Sequence, residues 1–344
     1  MHVRLNVNDT DPRPSAGGFV QIRAFSKINL LLEVVKKRQD GYHELVSVMQ
    51  SLALSDTVTI SMANNSEISH AIELVCNNPN LPTDDRNLVT RAAKYMIQEY
   101  NIRQPIKIQL EKRIPIAAGL AGGSSDCAAA LLGINKLFDL GIPLYSAKQA
   151  SQTVASYCPS KAQIQNKAAS LMEIGKQFGA DVPFCLMANA AAEGGATALA
   201  EGIGEKLTPL APHPNVWVVL VCPGIPVSTA DIFSRYNAKM HTQPLADGQS
   251  NTASNCSAMI NAITKGDVHA ITANFKNDLS QITTQLHPEV QNIINEMKNQ
   301  GAIGAAMSGS GPSVFGYFSD KKSAEKAYKN FYHIEGRAFL TYTK

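Results

Sequence analysis

The sequence predicts an α+β protein of two domains, and three features point there. The chain has 344 residues, of which 44% are hydrophobic and 17% charged, enough for two cores at a usual domain size of roughly 150 residues. Strand-like and helix-like segments come in clusters and not in strict alternation. A loop of glycine and alanine at 115–123 separates a strand-like stretch from a helix-like one.

Each element has its own signal. Val20 to Val35 alternates and then runs apolar through Ile22, Ala24, Ile28, Leu30, Leu32 and Val34 before a polar turn at Lys36 to Tyr42, the pattern of paired strands. Val58 to Ile60 and Ile72 to Val75 read as further strands. From Asn87 onward Leu88, Val89, Ala92, Ala93, Met96, Ile97 and Tyr100 recur at helical spacing, with Asp84, Asp85 or Asn87 available as the cap. Ile106, Ile108 and Leu110 alternate as a strand, Pro115 to Gly123 is a loop, and Ser124 to Phe138 is an Ala/Leu helix. Ser146 to Ala169, rich in Ser, Gln, Lys and Ala, reads as an insertion. Gly179 to Phe184 resembles a turn opening a helix. A domain boundary is expected near Gly194 to Gly204, dividing 19–200 from 201–344, ahead of a buried strand at Val216 to Val221 that ends in Pro223-Gly224. Helices at Ile260 to Ile271, Pro288 to Asn299 and Ser323 to Tyr332, and a strand at Ser313 to Phe318, complete the second part. The polar stretch 1–18 reads as a loosely attached arm.

Composition excludes several functions. Lys and Arg total 31 against 28 Asp and Glu, a net charge of +3 with no polybasic block, so neither nucleic acid nor a membrane surface is an expected partner. The longest apolar run, Val216 to Cys222, is far below the ~20 residues of a spanning helix. Six cysteines lie apart with no Cys-x-x-Cys pair, which suits reduced thiols in a cytoplasmic protein. His70, His213, His241, His269 and His287 are single and read as surface or loop residues, so no metal site built by protein histidines is expected.

The strongest chemical signal is Pro115-Ile116-Ala117-Ala118-Gly119-Leu120-Ala121-Gly122-Gly123-Ser124-Ser125-Asp126. Its glycines let the backbone approach an anion, and the free N–H groups of the first helical turn point at it. It reads as a phosphate cradle, to which Ser124 and Ser125 add hydroxyls. A P-loop is excluded because no Gly-x-x-x-x-Gly-Lys-Ser/Thr occurs, and Gly309-Ser-Gly311 leads into a strand, unlike a dinucleotide fingerprint. The His-Arg-Asp and Asp-Phe-Gly triplets of protein kinases are missing as well.

Three separated segments together resemble a known family. Ala24-Phe-Ser-Lys27-Ile-Asn29-Leu, Pro115 to Asp126, and Ser308-Gly-Ser-Gly-Pro-Ser313 look like the signature segments of the GHMP small-molecule kinases, in the expected order. Within that family, Lys36 to Leu45 and Gly179-Ala-Asp181-Val-Pro183 are similar to the diphosphocytidyl-methylerythritol kinase branch of the non-mevalonate isoprenoid route. The resemblance implies the two-domain GHMP kinase fold, with an N-terminal domain like domain 2 of ribosomal protein S5 and a ferredoxin-like C-terminal domain. It also implies ATP with magnesium, a small-molecule acceptor carrying a cytidine diphosphate group, and a monomer or weak homodimer.

By the same resemblance Asp181 is the general base and Lys27 the cation beside it, which suits in-line phosphoryl transfer to an alcohol. Tyr42 and His43 line the cytidyl pocket, Asn29 lies near the acceptor hydroxyl, and Thr229 and Phe233 form a second wall around the nucleotide. The third segment faces the phosphates or supports the first glycine loop. Asn277-Asp278-Leu matches a family landmark for which the residues suggest no role. Alternatives are a related kinase acting on mevalonate, homoserine or a sugar, and a non-catalytic nucleotide binder, against which the presence of both Lys27 and Asp181 speaks. The chain departs from the family pattern in its long arm, in the insertion at 146–169, and in Cys127 and Cys185 beside the key motifs.

Overall fold

Two very long strands organise the protein. The computed structural model describes residues 18–63, 71–146, 170–242, 252–331 and 337–344; the arm expected at 1–18, apart from its last residue, and all but Ser146 of the expected insertion lie outside the described residues. Val20 to Val35 is one strand and not a pair. It belongs to β1 (Phe19–Lys37), which turns through Arg38–Tyr42 and pairs antiparallel with β2 (His43–Met62). The register sets Lys27 opposite Ser51, Asn29 opposite Met49 and Lys37 opposite His43, with irregularities between Phe25 and Lys27, Asn29 and Leu31, and Val34 and Lys36. Such bulges bend a strand and sharpen its twist, so one hairpin can serve two neighbourhoods.

β2 does so along its length. Its second half pairs with β4 (Ile106–Glu111) and its first half with β5 (Thr197–Gly202). β3 (Ile72–Cys76) extends the sheet beyond β4, β6 (Lys206–Pro209) pairs with β5, and the two-residue β8 (Lys276–Asn277) runs parallel to β1 at the other edge. The large sheet thus continues to Pro209, past the boundary expected near Gly194 to Gly204. One face is covered by α1 (Leu88–Glu99), α2 (Gly122–Leu137), α3 (Leu171–Lys176) and α4 (Val182–Ala190). Asn87 is the cap of α1, its side chain accepting from the Val89 N–H at 2.9 Å. The alanines of α2 let it lie close on the sheet; a Cβ at Gly133 would stand 2.6 Å from the Ile60 side chain.

The second sheet has four antiparallel strands in the order β11 (Arg337–Tyr342), β7 (Trp217–Cys222), β10 (Val314–Phe318), β9 (Gly304–Met307). Around it lie α5 (Thr229–Thr242), α6 (Thr252–Lys265), α7 (Val268–Ala273), α8 (Ser280–Leu286), α9 (Pro288–Asn299) and α10 (Lys321–Phe331). The helix expected over Ile260 to Ile271 is two, broken at Gly266, whose φ is +66°, and restarted by Asp267, which accepts from the Ala270 N–H. β5 and β9 read Thr-Ala-Leu-Ala-Glu-Gly and Gly-Ala-Ala-Met; neither has strand propensity, and each is extended because a strong neighbour pairs with it. His213 lies in a loop, one of the two expected places, but it is buried: it contacts the Tyr317 hydroxyl and the Pro214 carbonyl, and burial pushes its pKa down to about 4.

A shared core locks the sheets together. Ile28, Leu30, Leu31, Val48 and Leu52 of the hairpin pack with Val218, Leu220, Phe315 and Tyr317 of the second sheet and with Met259 and Ile263 of α6. Leu31 is fully buried there. Leu31→Ala should therefore cost about 2–5 kcal/mol, read as a lowered denaturant midpoint with an unchanged m-value.

Candidate active site

The glycine loop follows β4 and enters α2 without a side-chain cap. The residue before the helix, Ala121, has φ +56°, Ala117 has +53° and Gly119 +72°. Alanine in this region costs on the order of 1–3 kcal/mol, a strain that collects at ligand clamps. The first helical bond runs from the Ser125 N–H to the Ala121 carbonyl at 2.9 Å, so the N–H groups of Gly122, Gly123 and Ser124 have no acceptor in the helix. A Cβ placed at Gly123 would meet nothing within 4 Å. Donors, open space and a 16-residue helix dipole coincide, the makings of an anion site.

A cleft of about 380 Å³ lies over this loop, lined by Pro115 to Ser124 and, opposite, by Leu81, Pro82, Arg86 and Leu88. Of the predicted phosphate-loop residues Ser125 alone is outside it: its side chain is buried and bonded to Asn189, which also accepts from the Phe25 N–H. The hydroxyl lining the cleft at the helix start is thus that of the half-buried Ser124, and Ser125 fastens α2 to α4 and β1.

Lys27 is delivered to the loop by its backbone, the Lys27 N–H donating to the Leu120 carbonyl at 3.1 Å. Its buried side chain donates to Asn29 Oδ1 at 2.9 Å and lies 3.5 Å from Asp181 Oδ2. Asn29 is oriented in turn by Ser47, whose Oγ accepts from Asn29 Nδ2 at 2.8 Å and donates to the Leu31 carbonyl. Asp181 sits at the cap position of α4, yet its side chain makes no capping bond. With its side chain 33% exposed, that carboxylate is open to a substrate, while Lys27 is held.

Behind the loop is a buried charge cluster. Lys112 bridges Asp56 and Asp126, at 2.6 Å from Asp126 Oδ2, and Asp56 Oδ1 accepts the N–H groups of Arg113 and Ile114. The backbone leading into the glycine loop is thus tied to the middle of β2. Burial pushes the Asp126 carboxyl up to about 8, against the pull of Lys112 and with the push of Asp56. Its Oδ1 is buried with no hydrogen-bond partner.

At the far end of the hairpin, the His43 ring stacks on Phe233 with centroids 4.7 Å apart and 21° between planes, and His43 Nε2 meets Asn237 Oδ1 at 2.7 Å. Tyr42 precedes His43 in the chain and is 61% exposed, an aromatic surface left largely open by the described residues. Thr229 is turned to the third segment, sharing a hydrogen bond with the Ser310 hydroxyl at 2.8 Å. That segment abuts the glycine loop: Ser308 Oγ donates to the Gly119 carbonyl at 3.2 Å, and a Cβ on Gly119 would lie 2.7 Å from the Ser308 carbonyl oxygen.

The structure thus brings Lys27, Asn29, Asp181 and the glycine loop together, and gathers Tyr42, His43 and Phe233 at the other end of the hairpin. Ser47, Lys112, Asp56, Asn189 and Asn237 support them and went unremarked in the sequence, where single polar residues inside apolar runs were the one available signal.

A bent sheet presenting a lysine, and a helix start presenting an aspartate, beside an uncapped glycine-loop helix and backed by a second antiparallel sheet, define a small-molecule phosphotransferase. The chain matches the GHMP kinases N terminal domain over residues 87–189 and the GHMP kinases C terminal domain over 259–336. It is 38% identical to the 4-diphosphocytidyl-2-C-methyl-D-erythritol kinase of Acetivibrio thermocellus over 94% of this chain and 99% of the relative. It is 37% identical to the protein of that name from Lachnoclostridium phytofermentans, over 91% and 92%. A crystal structure of 4-(cytidine 5'-diphospho)-2C-methyl-D-erythritol kinase superposes with a TM-score of 0.70 at 28% identity, covering 94% of this chain and 99% of that one. L. major mevalonate kinase, at 14% identity and a TM-score of 0.67, shares the fold. The chain belongs to the GHMP kinase family, on the branch of the 4-diphosphocytidyl-2-C-methyl-D-erythritol kinases.

Two outcomes are expected. Gly119→Ala puts a Cβ against backbone in a left-handed conformation, so ADP affinity, measured by calorimetry, should fall by about 10-fold or more (≥1.4 kcal/mol). For Asp126, between about pH 4 and its raised value of about 8 the unfolded chain ionises this group while the folded chain keeps it protonated, so its contribution to stability is lost as pH rises through that window. Asp126→Asn should flatten the pH dependence of the melting temperature there, and an unchanged slope would refute the assignment.

Proposed function

We propose that this kinase transfers the γ-phosphoryl group of ATP to the 2-hydroxyl of the methylerythritol moiety of 4-diphosphocytidyl-2-C-methyl-D-erythritol, in the non-mevalonate route to isoprenoids. The observation that carries the reading is the Lys27–Asp181 pair, 3.5 Å apart and bonded through Lys27's own backbone to the glycine loop. The triphosphate lies along the cleft with its phosphates on the N–H groups of Gly122, Gly123 and Ser124. The acceptor oxygen attacks the γ-phosphorus in line, the bond to the bridging oxygen of the β-phosphate breaks, ADP leaves, and the hydroxyl proton passes to Asp181. Lys27 offsets the charge moving through the transition state, and it costs no reorganisation because Asn29 and Asp181 already hold it.

Magnesium arrives as part of the Mg·ATP substrate. Its charge is met chiefly by phosphate oxygens, with the Ser124 hydroxyl near them. The cytosine is read by Tyr42 and Phe233 through ring stacking and by His43 through hydrogen bonding. Asn237 orients His43, and Thr229 supports the wall through Ser310.

An ADP-release assay with Mg·ATP and the cytidylyl substrate, mevalonate, homoserine or galactose tests the reading. Turnover with the cytidylyl substrate is expected, and turnover with another acceptor alone would overturn it. Asp181→Asn should lower kcat by about 10²–10⁴-fold while ADP affinity stays within about twofold, because the lost group acts on the proton and not on the phosphates.

A further inference from the structure

One motif has no part in the chemistry above. Asn277 lies on β8, the two-residue edge strand whose Lys276 and Asn277 pair with Leu31 and Leu32 of β1. The segment is fastened at several points: the Asp278 N–H donates to the Leu32 carbonyl, Asp278 Oδ2 accepts from the Val34 N–H, and Lys276 pairs with the buried Glu33. From this anchored backbone the Asn277 amide reaches across to the third segment. Its Nδ2 donates to the Met307 carbonyl at 2.9 Å and to the Gly309 carbonyl at 2.8 Å, while its Oδ1 accepts from the Leu279 N–H at 3.0 Å.

Gly309 is where this reach matters. Its φ is +60°, and a Cβ there would stand 3.3 Å from the Gly119 carbonyl oxygen and 3.7 Å from Asn29 Oδ1. It is thus wedged between the phosphate loop and the partner of Lys27. We propose that Asn277 is a positioning residue for phosphoryl transfer: by holding the Met307 and Gly309 carbonyls from β8, itself anchored on β1, it sets the distance between the phosphate loop and the Lys27–Asn29 pair. The inference deepens the kinase reading above and rests on it for the identity of the reaction. The chemistry of the side chain supports it. Two acceptors and one donor converge on position 277, and an amide supplies two N–H groups and one oxygen in a single plane. A carboxylate has the same shape but would set negative charge against two carbonyl oxygens, and serine offers one donor on a shorter arm. Displacement of a reacting group by about 1 Å can cost on the order of 10²-fold in rate, so a remote pin has kinetic weight.

The test compares Asn277→Asp and Asn277→Ser with the parent protein, measuring kcat, the acceptor KM, the ADP dissociation constant and the melting temperature. Expected are a fall in kcat of about 10–100-fold, an ADP constant weakened about 5–10-fold, and an acceptor KM within about threefold, since the Tyr42–His43–Phe233 end is untouched. The Asp variant should regain activity relative to the parent as pH is lowered from about 8 to about 6, because its protonated form restores one donor; the Ser variant should not. A kcat within twofold of the parent in either folded variant overturns the proposal. So does a loss that disappears when the assay is cooled until both variants are wholly folded, the mark of a merely structural bond. If the parent phosphorylates none of the acceptors, the functional reading fails, and the ADP constant of the variants still decides the role of Asn277.

Discussion

The site depends on two stretches of backbone meeting with no side chain between them. Gly119, in the loop after β4, and Gly309, in the loop between β9 and β10, approach so closely that a Cβ on either would press on a carbonyl of the other loop, at 2.7 and 3.3 Å. The first loop belongs to the large sheet and the second to the small one. Packing of Leu31, Leu52, Val218 and Phe315 holds the sheets together over a broad apolar area, but that force is non-directional. The hydrogen bonds from Ser308 and Asn277 turn general adhesion into a defined relation between the glycine loop and the strand that carries Lys27.

Charge in this region is arranged in two tiers. Beside the glycine loop, a buried Lys27 is paired across 3.5 Å with a partly open Asp181. Deeper, Lys112, Asp56 and Asp126 are almost wholly buried. A buried ion cluster is a poor source of net stability, though removing one member is expensive, on the order of 3–5 kcal/mol. Its contribution is geometric: Asp56 holds the Arg113 and Ile114 amides, so the strained loop that follows starts from a fixed point on β2. The raised pKa of Asp126 also lessens the negative charge standing behind a site that receives phosphates.

Much of this was legible in the order of residues. The glycine loop announced itself because strained backbone at 119 and close approach at 119 and 122 restrict residue choice, and because Ser124 to Phe138 has an unmistakable helical composition. Lys27 and Asp181 became visible through the company they keep; alone, each is an ordinary strand or cap residue, and Asp181 does stand at a cap position without serving as one. The alanine-rich β5 and β9 were not legible, since their extension is imposed by β2 and β10 across the sheet. Ser125 was misjudged as an equal of Ser124 because successive helical residues point about 100° apart, and which faces the cleft depends on Asn189, 64 positions away. Asn277 stood out as a landmark but not as a pin, since both carbonyls it holds lie about thirty residues downstream.

The β1–β2 hairpin carries Lys27 and Asn29 at its middle and Tyr42 and His43 at its turn, which makes it a gauge. Because both pairs ride on one hairpin, the span between them is counted in residues of ladder and trimmed by the irregularities after Asn29 and Val34. A slip of a single residue would turn every side chain to the opposite face, so the span is quantised. The spacing of these two pairs is therefore written in strand curvature, and a lineage could retune it without replacing Lys27, Asn29, Tyr42 or His43.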